Sequence, residues 1–459
     1  MFLTENYLRV EPCHIGEVDG FGYAYVPGSD AGVVLLDMRS KQILEGLPSI
    51  QDDIDRPRLE LMINNGLVRL SGEPVPPDIT KYRLEPAKVT SMSTWLHVTN
   101  NCNLDCPYCY IAHKGDGHMS LDIASQYIDK LEEAINVHHL QKVAIRFAGG
   151  EPDLNRSVIK YVVDECHRRL ISRNVGVQFL LITNGTTLSS KWIDFLTEHS
   201  VGINISLDGV GDMHDVTRFF KNGRGSFRRV EKSIDLCLKR GVMPCILTTI
   251  TDANIKGIPL LSRFLIDRNL QFRYGVYRDY AGDHSGYQEF IQQLQIALDD
   301  CYDYYANAIR QRKADFRHQL CDLHLDRRPH LRCCNVGYSG VTVSHNGQVF
   351  VCQSQMDKQP LGRLDDSATL LQMAWSQQTI PGLTNRGVAG YSPCNSCMWA
   401  LVCGGGCPVT NVGYSGTAES VSPYCELFNE CIPSIIQLKA IELICLQLNN
   451  NLPPEEVNC

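Results

Sequence analysis

Apolar and polar positions change their period along the chain, and each change marks a different kind of element. Up to about residue 85 the apolar runs are short and separated by turns. Residues 21–26 and 32–36 read as strands, 38–47 and 58–65 as short helices, and 66–70 as a strand leaving a turn. This predicts a small winged-helix-like α+β module. Residues 71–77, Ser-Gly-Glu-Pro-Val-Pro-Pro, read as a linker, since proline suits neither a helix interior nor a central strand.

From Ser93 to about Tyr280 strand and helix patterns alternate. Strands are expected at 94–98, 143–147, 177–183, 202–207, 243–250 and 272–276. Ser120 is placed to cap a helix with Ile123, Tyr127, Leu131 and Ile135 on one face. Ser226 is placed to cap another, carrying Phe227, Val230, Ile234 and Leu238, with Gly241 past its end. Six strands alternating with helices predict an α/β fold, a partial (β/α)6 TIM-like barrel whose chemistry sits on the loops after the strands. Residues 285–325 read as one or two long helices, and a loop-rich remainder ends in a helical tail near 435–448. Asn346-Gly347 between residues 342–344 and 348–351 predicts a β-hairpin.

Charge narrows the function classes. Lys and Arg number 43 against 51 Asp and Glu, a formal net charge of -8, whereas a nucleic-acid binder shows the opposite balance. The first 29 residues lack the basic start, apolar core and cleavage site of an export signal, and no apolar run approaches the roughly 18 residues that cross a bilayer. A cytoplasmic protein without nucleic-acid or membrane partners is expected.

Cysteine usage changes the picture most. There are 20 in 459 residues, which in a reducing compartment points to metal or catalysis rather than disulfides. Eight are scattered; three cluster at 102–109 and nine lie between 333 and 431. Cys102-x3-Cys106-x2-Cys109 follows the first barrel strand. Three thiolates can hold a 4Fe–4S cluster, which normally takes four; a partial zinc site is the alternative, but no histidine or fourth cysteine stands at zinc spacing.

This loop resembles the signature of the radical S-adenosylmethionine (AdoMet, SAM) superfamily. The resemblance implies that one iron is left open for the amino and carboxylate groups of AdoMet, and that reductive cleavage yields a 5′-deoxyadenosyl radical. Gly149-Gly150-Glu151-Pro152 is similar to the family's GGE loop, Ser206 and Asp208 to its ribose-contacting pair, and Arg218 stands where the AdoMet carboxylate would be met. Thr183-Asn184-Gly185 is expected to shape the pocket.

Further on, Cys334-x12-Gly347-x4-Cys352 and Cys394-x2-Cys397-x5-Cys403-x3-Cys407, then Cys425, resemble the SPASM domain of peptide-modifying radical SAM enzymes. A zinc ribbon would also use paired Cys-x2-Cys. By the resemblance, one auxiliary 4Fe–4S cluster uses Cys394, Cys397, Cys403 and Cys425. Another uses Cys334, Cys352 and Cys407, its fourth ligand open between Cys321, Cys333 and none. Three clusters, AdoMet and an external electron donor of flavodoxin or ferredoxin type are thus implied.

The expected organisation is a module at 1–85, a radical SAM partial barrel at 90–282, a helical bridge at 283–331 and a SPASM domain at 332–459. The N-terminal module resembles the peptide-recognition element of maturases of ribosomally made peptides. The expected activity is hydrogen abstraction from a precursor peptide carrying a leader, then oxidation to a thioether, C–C or C–O cross-link. Sulfatase maturation by formylglycine formation and a non-enzymatic zinc or electron-transfer module are the competing readings. Asp279, leaving the sixth strand, is the candidate proton acceptor.

Overall fold

The computed structural model describes residues 7–46, 50, 52–73, 79–111, 114–115, 117–278, 286–317, 320, 322–323, 325, 330–376 and 380–450. Asp279, Cys321 and most of the expected linker at 71–77 lie outside the described residues.

The N-terminal part contains β1 (Tyr7–Arg9), β2 (His14–Val18), β3 (Phe21–Tyr25), β4 (Val33–Leu36), α1 (Met38–Glu45), α2 (Asp52–Asn64) and β5 (Val68–Leu70). Strands β2, β3 and β4 form an antiparallel sheet, and β1 pairs with β5. Asp37 caps α1 by accepting from Ser40 N–H, and Gly46 closes it in the left-handed conformation. The three-stranded sheet serves two cores. Ala24, Val34 and Leu36 pack with α1 and α2, while Tyr23, Tyr25, Val33 and Leu35 on the other face join the main core.

The central part runs β6 (Ser91–His97), α3 (Leu121–His138), β7 (Lys142–Ala148), α4 (Arg156–Arg169), β8 (Gly176–Thr183) and α5 (Ser190–Glu198). It continues through β9 (Val201–Ser206), α6 (Asp212–Asp215), α7 (Phe227–Lys239), β10 (Cys245–Ile250), α8 (Ile258–Ile266) and β11 (Gln271–Val276). These six strands are parallel neighbours in chain order. β11 does not return to pair with β6, so the barrel stays open. Parallel sheets are ordinarily covered on both faces. Here fully buried positions alternate with partly exposed ones, as in β7, where Val143, Ile145 and Phe147 pack under helices and Ala144 and Arg146 do not. The inner face is a cavity wall rather than a packed core.

The remainder contains α9 (Tyr287–Arg310), β12 (Gly340–Val343), β13 (Gln348–Phe350), β14 (Gly362–Arg363), α10 (Leu370–Ser376), α11 (Ala400–Cys403), α12 (Pro408–Ser415) and α13 (Cys425–Asn450). The expected hairpin forms, Thr342 facing Phe350. It also docks where sequence pattern gives no hint: β12 lies parallel to β6, Thr342 beside Trp95, extending the sheet to nine strands. Covering the β6 edge this way removes an open row of backbone groups.

Four expectations need correction. Ser120 caps α3 as expected, accepting from Ile123 N–H, but Ser226 caps nothing. Its backbone is already helical, and Asp215 accepts the Phe227 N–H instead at 2.8 Å. Between 285 and 325 one helix, α9, ends at Arg310, and the described residues beyond it are not helical. The helical tail begins ten residues earlier than expected, at Cys425. Within it, Cys425–Leu448 is apolar and long enough to cross a membrane by length and composition, which the interspersed Glu, Gln and Lys concealed in the sequence; 56% of its apolar window is buried inside the molecule. Ile432, Ile435, Ile436 and Ile441 supply that burial, in the core shared with Leu294, Leu298 and Tyr302 of α9.

Candidate active site

The loop after β6 carries Cys102, Cys106 and Cys109, and neighbouring loops bind it from three sides. Gly150 N–H donates to Thr99 O and Glu151 N–H to Asn101 O, both at 2.7 Å. This contact is what requires glycine. A Cβ on Gly149, whose φ is +155°, would lie 2.4 Å from Thr99 O, and one on Gly150 would lie 2.3 Å from Asn101 O. On a second side, Asn184 Nδ2 donates to Asn103 Oδ1 at 2.8 Å and approaches Cys102 Sγ at 3.8 Å, while Asn103 Nδ2 donates to Thr186 at 2.7 Å. On the third, Asp105 N–H donates to Phe219 O and Leu104 bridges Phe220.

Cys102, Cys106, Cys109, Gly149, Gly150, Ser206 and Arg218 line one cavity of about 360 Å³ at the strand ends. Glu151 and Asp208 do not line it; their carboxylates are taken by protein donors. Glu151 is fully buried and accepts from Thr183 Oγ1 and Asn184 N–H at 2.7 Å and from Asp153 N–H at 3.1 Å. Burial, with the nearby Asp153 charge, pushes its carboxyl up to about 8. Its work is to hold the Thr183-Asn184-Gly185 turn against the cysteine loop.

Asp208 is also fully buried. Its Oδ2 accepts from Tyr108 OH, from Arg218 Nε at 2.8 Å and from Thr217 Oγ1 at 3.1 Å; its Oδ1 accepts from Thr249 N–H at 2.9 Å. Burial alone would lower the Arg218 guanidinium, but Asp208 and then Tyr108 hold it well above its ordinary value. Arg218 thus reaches the cavity as a fixed cation whose Nε is anchored. His214, fully buried, sets this arrangement. Its Nδ1 accepts from Asp208 N–H at 3.1 Å, so Nε2 carries the proton and donates to Ser226 Oγ at 2.9 Å, which in turn donates to Arg218 O. Burial lowers the His214 pKa to about 4, which keeps the ring neutral.

In the C-terminal region the cysteines fall into two sets by mutual electrostatic influence. Cys394, Cys397, Cys403 and Cys425 form one. Cys334, Cys352 and Cys407 form the other, with Cys333 beside Cys334. Between Cys403 and Cys407 the chain makes a turn of three glycines, all at positive φ; a Cβ on Gly404 would stand 2.4 Å from the backbone at Arg332. Cys333, Cys334 and Cys352 line a second cavity of about 520 Å³, which meets the first at Trp95, Arg273, Arg278 and Gln353.

The donors fit iron–sulfur clusters. All the described cysteines are free thiols, and burial pushes Cys102 and Cys352 up to about 11 and Cys403 to about 12, so a bound cation is what would make them thiolates. Among the described residues no three His, Cys, Asp or Glu side chains converge tightly enough for a single metal ion. A cubane spreads its ligands over separate irons, so thiols ranged around a cavity suit it better than one zinc.

Sequence reading missed Tyr108, Thr217 and His214, which fix Arg218, and Asn103, which ties the cysteine loop to Asn184. Asn103 and Tyr108 stand inside the Cys-x3-Cys-x2-Cys loop and His214 and Thr217 just before Arg218, but the role of each shows only once the loops are in contact.

Comparison with known proteins agrees with this geometry. Residues 96–257 match the Radical SAM superfamily. The cysteine-type anaerobic sulfatase-maturating enzyme of Clostridium novyi is 24% identical over 359 residues, 72% of this chain and 91% of that protein. The serine-type enzyme of Bacteroides thetaiotaomicron is 24% identical over 393 residues, 74% of this chain and 92% of that one. Among solved structures, native anSMEcpe with bound AdoMet and Cp18Cys peptide matches at TM-score 0.61 and 21% identity, covering 76% of this chain and 99% of its own. Streptococcus suis SuiB bound to precursor peptide SuiA matches at TM-score 0.52 and 15% identity, covering 90% of this chain and 98% of its own. Residues 96–257 thus carry a Radical SAM domain, which implies AdoMet and a 4Fe–4S cluster, SPASM-like cysteines follow it, and the chain is an enzyme.

Proposed function

We propose that the chain is a peptide maturase that removes hydrogen from a residue of a ribosomally made precursor and closes an intramolecular cross-link. Bound cluster and AdoMet supply the hydrogen-abstracting chemistry; the chain's residues bind, orient and shield. Cys102, Cys106 and Cys109 would hold the cluster, while Arg218, fixed by Asp208, would meet the AdoMet carboxylate. The two C-terminal thiol sets would hold auxiliary clusters that take an electron from the substrate.

The observation that carries the peptide reading is the N-terminal sheet. Of its two outer strands, β4 is wholly buried, but residues 14–17 of β2 are partly or fully exposed, and among the described residues β2 pairs only with β3. An extended leader could add there as a further strand. The likeness to SuiB also spans 90% of the chain, against 76% for anSMEcpe. Sulfatase maturation is the second reading, favoured by the sequence relatives from Clostridium and Bacteroides.

Co-expression with short open reading frames neighbouring the gene, followed by intact-mass measurement, separates the two. Loss of two hydrogens, or a multiple of two, from a precursor is the expected result. An unmodified precursor, together with formylglycine formation in a sulfatase peptide, would replace this reading with the second.

A further inference from the structure

Two arginines on the inner wall of the barrel have no hydrogen-bond or ion-pair partner among the described residues. Arg146 lies on β7 between the helix-facing Ile145 and Phe147, and Arg273 on β11 between the buried Phe272 and Tyr274. Both line the 520 Å³ cavity, and Arg273 also lines the rim cavity. Trp95, the register partner of Arg146, lines both cavities, and its Nε1 is buried without a hydrogen-bond acceptor.

The charge on that wall is one-sided. Arg278 is paired with Asp322 at 2.6 Å, and Arg332 donates to the carbonyls of Val336 and Thr384. Asp322 is the only carboxylate among the described residues lining the cavity. Neither Arg146 nor Arg273 has a hydrogen bond or ion pair with any described residue, and the two repel one another, which with burial lowers the Arg146 guanidinium. Arg273 is exposed, but Arg146 is partly buried, and a partly desolvated cation without a counter-charge among the described residues is costly, in contrast to Arg218, which the fold supplies with Asp208. Two guanidinium forks and an indole N–H, all donors, line one cavity and take no acceptor from the described residues, the cavity's one described carboxylate, Asp322, being held by Arg278; a further carboxylate matches that set, and a guanidinium can take it with two parallel bonds.

We propose that Arg146, Arg273 and the Trp95 indole form a carboxylate-binding site that seats an acidic group of the substrate below the rim cavity. The peptide is then one that presents an aspartate or glutamate side chain, or its C-terminal carboxylate, to the barrel. This rests on the peptide-maturase reading for the identity of the substrate, but not for the existence of the anion site.

The test is a titration of the iron-loaded enzyme, saturated with AdoMet, with three probes: N-acetyl-glutamate amide, N-acetyl-diglycine with a free C-terminus, and N-acetyl-glutamine amide. An anionic probe should bind at least about tenfold more tightly than the neutral one. Preference for the glutamate probe assigns a side-chain carboxylate; preference for diglycine assigns the C-terminus. Arg146→Gln and Arg273→Gln should each weaken anion binding about tenfold, Arg146→Lys should retain part of it, and Trp95→Phe, which removes only one donor, should cost severalfold. Equal binding of charged and neutral probes, anion binding unchanged in both glutamine variants, or competition between probe and AdoMet for one site would each overturn the proposal. Because binding is read without turnover, anion binding with no peptide ever modified would sink the maturase reading alone. A modified peptide lacking any carboxylate, processed equally by Arg146→Gln, would sink this proposal alone.

Discussion

The thiols at the barrel rim and those of the C-terminal region are held by different means. The rim loop is stitched by backbone and amide hydrogen bonds to the turns after β7, β8 and β9, all of which hang from a sheet with a continuous core beneath it. The C-terminal sets sit among short elements: α11 has four residues, and the Cys403–Cys407 connection is a run of glycines at positive φ. A protein that builds one site on a sheet and another on turns leaves the second more dependent on its metal for order. The first should therefore be separable from the second, in chemistry and in stability.

The largest effect tests that separation. Cys106→Ala should abolish AdoMet cleavage and product together, a loss of roughly 10³-fold or more. Cys403→Ala should stop product while 5′-deoxyadenosine continues to form. The measurements are 5′-deoxyadenosine, peptide mass and iron content per chain. Equal loss of cleavage in both variants would break the comparison. Partial iron chelation should expose residues 394–425 to protease before the barrel.

Next in size is Asp208→Asn. It removes the charge that holds Arg218 while leaving a side chain of the same shape, and breaking a buried ion pair in this way costs about 3–5 kcal/mol. The melting temperature of the barrel should fall, and KM for AdoMet should rise more than kcat falls. A variant that melts early but keeps its AdoMet KM would make Asp208 a purely structural residue.

How much of this was legible beforehand depends on how local the cause is. All six barrel strands, the Ser120 cap and the hairpin at Asn346-Gly347 follow from period and turn chemistry within a dozen residues, and they form where expected. The docking of β12 on β6 does not, because it joins positions some 250 residues apart. Glu151 and Asp208 stood out as motif residues, but sequence could not show that their carboxylates face protein donors rather than the cavity. Arg146 carried a signal that went unread: in Lys142-Val-Ala-Ile-Arg-Phe-Ala148 every second residue is a large apolar group, so the arginine must face the other way.

The pH dependence sharpens the account of Arg218. His214 titrates near 6.5 when unfolded and at about 4 when folded, because burial disfavours its charge. Its neutral form therefore contributes stability that is fully present above pH 6.5 and is lost as pH falls toward 4. A shift of that size corresponds to roughly 3 kcal/mol. The barrel melting temperature should drop between pH 6.5 and 4. His214→Asn, which keeps an acceptor for Asp208 N–H and cannot protonate, should flatten that drop. An equal slope in wild type and variant would place the sensitive group elsewhere.

The smallest effect separates two serines that read alike in the sequence. Ser120 accepts from Ile123 N–H as an ordinary cap, so Ser120→Ala should cost about 1 kcal/mol and leave AdoMet affinity alone. Ser226 links His214 Nε2 to Arg218 O in the buried chain behind the cavity. Ser226→Ala strands an imidazole N–H and should cost about 1–3 kcal/mol. It should also loosen Arg218, so its distinguishing sign is a raised KM for AdoMet, whereas Ser120→Ala shows only the lower melting temperature. If both serines cost the same and neither moves KM, the hydrogen-bond chain through His214 does not position the arginine, and the rim is no better ordered than the region it is contrasted with.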